Sequence, residues 1–215
     1  MKKFVLLIVI ALLALVGSYE TQAQPPENCP NGQANYNTFT ITINNCEYEV
    51  GICWDCNVTG VSRIEVRYFT LVDPDCDDIE GLNSTQVLER IYSIVYTNNF
   101  ISTNLCNFAQ YTIPPCEQGE IWFDLIYSTC WSKNLYQGHV YVTPCHLLPG
   151  YCYCIEAWKV CFDVQNGTYR WEMVWNDYSC TMEACGPVPS TEPPDPTDPQ
   201  NPYTDCWTVP TSCTP

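Results

Sequence analysis

Apolar and polar residues alternate with a period of two through much of this chain, and that period predicts strands. Phe39-Thr-Ile-Thr-Ile43 sets Phe39, Ile41 and Ile43 on one side and threonines on the other, the pattern of a half-buried strand. In Glu120-Ile-Trp-Phe-Asp-Leu-Ile-Tyr127, Ile121, Phe123, Leu125 and Tyr127 share one face, while Glu120, Trp122 and Asp124 share the other. Tyr151–Phe162 is a β-branched and aromatic run carrying three cysteines, which reads as a central, stapled strand. Asn166-Gly167 then supplies the two positive-φ positions of a two-residue hairpin turn, and Thr168–Trp175 returns as its partner strand. Further strand-like segments are Cys46–Cys53, Arg63–Val66, a stretch ending at Ile113, and Gly138–Val142.

The period changes once. Val87, Leu88, Ile91, Ile94 and Val95 recur at helical spacing, Asn83-Ser-Thr-Gln86 carries the cap acceptor and the glutamine of a capping box, and Asn98-Asn99 ends the run. A short helix covering one face of the sheet follows. The fold class is mainly β, a β-rich α+β arrangement: a disulfide-rich antiparallel sheet or sandwich of seven or eight strands with one short helix. A duplicated hairpin is a second layer of organisation. Cys46 and Cys53 have the spacing of Cys154 and Cys161, each pair is followed by a glycine turn (Gly60, Gly167), and an arginine stands three residues past each glycine (Arg63, Arg170). Cys76 and Cys180 end the two units; chance likeness between two amphipathic hairpins is the alternative.

Composition changes this picture at both ends. Residues 1–23 have a charged start (Lys2, Lys3), an apolar run from Phe4 to Val16 and small residues up to Ala23, the layout of a secretory signal peptide. That apolar run is too short to span a membrane comfortably and no second one follows, so membrane insertion is not expected. Residues 24–185 form a domain able to bury a core. Residues 186–215 turn to Pro, Asp, Thr and Ser, which predicts an acidic, semi-rigid tail ending in a small knot that presents Trp207, with Cys206 paired to Cys213.

The sixteen cysteines all lie beyond the signal segment: Cys29, Cys46, Cys53, Cys56, Cys76, Cys106, Cys116, Cys130, Cys145, Cys152, Cys154, Cys161, Cys180, Cys185, Cys206 and Cys213. An even set in an exported chain implies up to eight disulfides and a secreted protein, extracellular or in the cell envelope. The formal charge is −16, and past residue 23 the only fixed cations are Arg63, Arg67, Arg90, Lys133, Lys159 and Arg170. So acidic a surface repels phosphate backbones and anionic lipid, which excludes nucleic acid as a partner.

Candidate chemistry is sparse. Cys53-Trp-Asp-Cys56 has redox or half-zinc spacing, but it sits in a hairpin rather than at a strand-to-helix junction, and structural disulfides are the expected use. Asp73, Asp75 and Asp77 offer alternate oxygens for calcium without the glycine and glutamate of an EF-hand; a solvated acidic turn is the simpler reading, and neither metal nor cofactor is expected. Glu120 and Asp124 beside Trp122 have the residue types of a glycosidase cleft. No nucleophile elbow, metalloprotease helix or phosphate-binding glycine loop occurs, so an enzyme is not expected.

Seven tryptophans and fifteen tyrosines are more than a core of this size needs. Trp122, Tyr169, Trp171, Trp175 and Trp207 are the candidate exposed aromatic face, suited to stacking on sugars or docking a protein. The expected function is that of a non-catalytic structural or adhesion protein whose partner is another extracellular protein, itself, or a glycan. The alternatives are a carbohydrate-binding module and a glycan-active hydrolase using Glu120 and Asp124.

Overall fold

The computed structural model describes residues 29, 33–57, 59–76, 81–108, 113–145, 153–179 and 190–213. The expected signal peptide, Asp77, and Cys152, Cys180 and Cys185 lie outside those residues. Strands form over the alternating runs: β1 (Asn35–Ile43), β2 (Cys46–Asp55), β3 (Val61–Leu71), β4 (Ile121–Ser128), β6 (His139–Pro144), β7 (Tyr153–Asp163) and β8 (Thr168–Ser179). Two more, β5 (Cys130–Tyr136) and β9 (Trp207–Thr208), go beyond the sequence reading. Helix α1 (Ser84–Val95) starts on the expected capping box, with the Asn83 side chain accepting from the Gln86 N–H and the Gln86 side chain accepting from the Asn83 N–H. A short turn α2 (Asn98–Phe100) runs on into a π-helical turn (Ile101–Leu105).

The disulfide-rich, mainly β class is correct, but the sheet is mixed rather than antiparallel. β3 is its junction. One edge of β3 pairs with β2, while the other is divided: Val61–Glu65 pairs in parallel with β4, and Phe69 and Thr70 pair antiparallel with β6. The sheet therefore forks into a β4-β7-β8 branch and a β6-β5-β9 branch, with β1 outside β2. A bulge between Gly51 and Ile52 leaves Arg67 as the extra residue of β3, which bends the strand where the fork opens. Arg67 is buried and bonds the buried Glu65, whose other oxygen accepts from Gln33.

One face of this sheet carries the core. Val87, Leu88, Ile91 and Val95 of α1 pack with Val50, Ile52, Ile64, Val66, Phe123 and Leu125 in a single cluster. Tyr92 and Tyr96 meet Tyr127 edge-on at 4.8 and 4.7 Å between ring centroids, and the Tyr96 hydroxyl donates to the Ile126 carbonyl. Helix and β4 are thus tied by both packing and a hydrogen bond.

The turn between β7 and β8 has four residues, not two. Asp163 pairs with Thr168, its carboxylate accepts from the Gln165 and Asn166 N–H groups and from the Asn166 side chain, and Gly167 takes a φ of 66°. The aspartate organises the longer loop, and only one of the two expected positive-φ positions is used. Both hairpins carry a bulge, at Arg67 and Val174, four residues beyond Arg63 and Arg170 respectively, which agrees with the duplicated pattern. Their bridges differ: Cys46 bonds Cys76 within its own unit, whereas Cys154 bonds Cys213.

Six disulfides lie among the described residues. Cys29–Cys53, Cys46–Cys76, Cys56–Cys106 and Cys116–Cys161 staple the body, with sequence separations of 24 to 50 residues. In the chain-entropy account loops of that length are worth roughly 3–4 kcal/mol each. Cys145–Cys206 and Cys154–Cys213 hold the C-terminal segment instead, so the expected Cys206–Cys213 knot is not formed. The segment is a strap rather than a spacer. Leu135 donates to Pro202, Thr204 to Lys133 and Val209 to Thr129, so residues 202–209 run along the open edge of β5. Prolines, which lack the N–H of a central strand, are tolerated at such an edge.

The strap completes the core as well as the edge. Trp207 is 0 % exposed, and its indole N–H donates to Thr85 at the start of α1. Lys133 is 4 % exposed and donates to Glu192 and to Asp195, 2.6 Å each, beneath the strap. Glu192 also accepts from the Ser84 and Thr85 N–H groups, so it caps the helix N-terminus with a carboxylate. The expectation of an exposed Trp207 fails because local composition carries no record of the cavity between α1 and β5 that the indole fills.

Trp207→Ala should lower stability by about 3–5 kcal/mol, the usual cost of emptying a buried tryptophan site. Thermal melts without reductant will show it; an unchanged Tm would mean that the strap does not support the core. Burial alone would raise the Glu192 pKa, but hydrogen bonds from Lys133, Ser84 and Thr85 outweigh it and hold the carboxyl below its ordinary value. A carboxyl lowered on folding adds stability above its unfolded pKa of about 4.3 and loses it as the pH falls through the folded value. Wild type should therefore lose its Tm advantage over Glu192→Gln in acid, and parallel curves for the two proteins would contradict this.

Candidate functional site

The face of the sheet opposite α1 bears the chemistry. Register across β8, β7, β4 and β3 aligns side chains in rows, because directly paired residues point to the same side. One row reads Trp175, Ala157, Asp124, Arg63; the next reads Glu172, Lys159, Trp122, Val61; a third reads Asp177, Ile155, Ile126, Glu65. Ala157 keeps the centre of the first row low. Trp175 stands beside it, 44 % exposed, and Arg63 lies across from it at the fork. A hollow of about 110 Å³ opens alongside, lined by Arg63, Ile126, Tyr153 and Ile155. The result is a shallow trough with an aliphatic floor, a tryptophan at one side and a guanidinium at the other.

Its charged groups are arranged in pairs. Arg63 Nε stands 3.8 Å from the Asp124 carboxylate, with side chains 45 % and 14 % exposed. Burial raises the Asp124 pKa, and the Arg63 charge lowers it without cancelling that rise. Lys159 Nζ is 2.9 Å from Glu120 and 5.1 Å from the centroid of the Trp122 ring, so one indole face is covered by an ammonium. Trp122 is held as a wall by this contact.

The expected aromatic face divides in two. Trp122 and Trp175 are on the open side. Tyr169 and Trp171 point to the core side, where Phe108 meets Tyr169 at 4.9 Å and stacks on Trp171 at 6.2 Å, and Trp207 is buried at the strap. Trp171 and Trp175 are four apart and would share a face in a regular strand; the bulge at Val174 turns Trp175 over. Arg63, Ala157, Tyr153 and Ile155 escaped the sequence reading as site residues. The alternation of β4 pointed to one row, but the pairing that gathers four strands could not be inferred from it.

The remaining candidates stay apart from the trough. Cys53 and Cys56 bond Cys29 and Cys106, not each other, so the Cys-x-x-Cys stretch is no dithiol centre. Asp73 accepts from the Asp75 N–H in a self-capped exposed turn, and among the described residues no group of three metal-ligating side chains converges. Glu120, directly before β4, and Asp124 within it are four residues apart, roughly 13 Å at 3.3 Å per residue.

The fold and the face together define a disulfide-rich β protein with an open, aromatic-edged sheet surface. No protein-family model matches the chain, and no curated protein or solved structure matches it either. Six disulfides fit an extracellular protein, and no helix among the described residues is long and apolar enough to cross a membrane.

Since Arg63 is the charge that lowers the Asp124 pKa, Arg63→Gln should raise that pKa further. An NMR titration of the Asp124 carboxyl will report it, and an unmoved or lowered midpoint would show that the pair is not coupled.

Proposed function

We propose that this is a secreted, non-catalytic adhesion module that holds a glycan in the trough on its open sheet face. The observation that carries the reading is the row Trp175, Ala157, Asp124, Arg63, with Trp122 beside it. A sugar ring offers an apolar C–H face and a rim of hydroxyls. The exposed indole of Trp175 suits the first, and the Arg63–Asp124 pair supplies a donor and an acceptor for the second. Ala157 leaves room for the ring between them. Disulfides on both branches of the sheet make the surface rigid before any ligand arrives, which lowers the entropic cost of binding.

Binding suits this geometry better than turnover. Glycosidase carboxyl pairs stand about 5–9.5 Å apart across the scissile bond, closer than the spacing of Glu120 and Asp124. Glu120 is also engaged by Lys159. The strap supports the module rather than serving as its contact surface, because its tryptophan is buried and its Glu192 carboxylate is turned inward to Lys133 and the start of α1.

The test is a glycan array with the full secreted chain, followed by affinity measurement on any hit. Trp175→Ala and Arg63→Ala should each weaken binding by about tenfold or more, corresponding to 1.4 kcal/mol. An array without hits, or variants that bind as wild type does, would refute the glycan reading.

A further inference from the structure

β8 ends its branch of the sheet, and its outer edge is unusually well suited to pairing. The strand is twelve residues long, Thr168–Ser179, and among the described residues no other strand pairs with its far side; the end of the strap reaches it at Asn176, whose side chain donates to the Ser212 carbonyl. Natural sheets blunt such edges with lysine, proline, brevity or a bulge, of which β8 has only the bulge at Val174. β8 has no lysine and no proline, and it exposes Met173, Val174, Trp175 and Tyr178. β1, the other long edge, shows solvent mostly threonine and asparagine.

We propose that β8 pairs antiparallel with β8 of a second copy of this chain, about a two-fold axis between Met173 and Val174. In an antiparallel pair, opposed residues must share a face. The bulge at Val174 makes that possible for residues equally distant from this axis, since Arg170, Glu172, Trp175 and Asp177 all lie on the open face while Trp171 and Asn176 lie on the other. Arg170 then faces Asp177 of the second copy, and by symmetry Asp177 faces its Arg170. Glu172 faces Trp175, Trp171 faces Asn176, and Met173 meets Val174 at the centre. This register uses the strand over its whole length. Sliding it by two residues, which also preserves the faces, would oppose Glu172 to Asp177 and place like charges together. Arg170 is available for the new pair, because its contact to Glu172 within the chain is long, 3.8 Å, and exposed.

Pairing of this kind continues the sheet across the axis, with both open faces on the same side. An adhesion module so joined would present two troughs at a fixed spacing. The pairing itself does not depend on the glycan reading, and its test reads mass alone.

Sedimentation equilibrium of the full secreted chain at rising concentration should show a dimer. Arg170→Asp opposes aspartate to aspartate and Asp177→Arg opposes arginine to arginine, so each variant alone should dimerise at least about tenfold more weakly. Mixed together, the two should recover a heterodimer of wild-type strength, because every 170–177 contact is again between opposite charges. Near-UV circular dichroism confirms that each is folded; should either variant misfold, Val174→Lys, which sets two ammonium groups at the axis, must weaken the dimer instead. A wild type that is monomeric to about 100 μM, folded variants that still dimerise, or a mixture that stays monomeric would overturn the proposal.

Discussion

A strand has two edges, and β3 uses its two for three partners. Its first half accepts β4 in parallel and its second half accepts β6 antiparallel, so the sheet must divide where one pairing ends and the other begins. The division needs a bend, and the extra residue Arg67 supplies it. Arg67 turns into the protein at that point, where Glu65 meets its charge. Two branches can then curve around α1 without leaving the centre of the sheet unpaired. The position of Arg63 at the margin of the trough follows from that fork.

The second branch would end in an open edge and an incomplete core without the strap. Residues 202–209 cover the edge of β5, Trp207 fills the space below α1, and Glu192 joins the helix N-terminus to the buried Lys133. A lysine so enclosed is tolerable only because two carboxylates meet it. Cys145–Cys206 and Cys154–Cys213 anchor the strap to opposite branches, β6-β5 and β7-β8. The strap thus sets the relation between the two arms of the fork. The same strap is bonded to β7 beneath the open face through Cys154–Cys213.

Legibility in the sequence followed the range of the interactions concerned. The α1 start was readable because a capping box is complete within four residues, Asn83 to Gln86. β4 and β1 were readable because alternation is a property of a single strand meeting a core on one side. The β7–β8 turn was only half readable: Gly167 has the expected positive φ, but Asp163 draws the loop out to four residues through bonds that a dipeptide rule does not include. The trough was legible as a list of aromatics and acids, among which Trp122 and Trp175 lie on the open face and Tyr169, Trp171 and Trp207 do not.

Composition and periodicity, acting through the chain's own local preferences, determined the β-rich class, the helix and its cap, and the dense cysteine framework. They determined these because strand alternation, helix capping and the presence of thiols require no knowledge of distant neighbours. Tertiary structure alone decided which cysteines bond, that β3 and β4 run parallel, that the proline-rich end returns as a strap, and that one bulge turns Trp175 away from Trp171. Each of those depends on residues from 15 to well over 100 positions apart being brought into register, as in Trp158 with Met173 or Thr85 with Trp207. Information about such contacts is spread over the whole chain, and only packing the sheet, helix and strap together selects among the pairings that the local patterns permit.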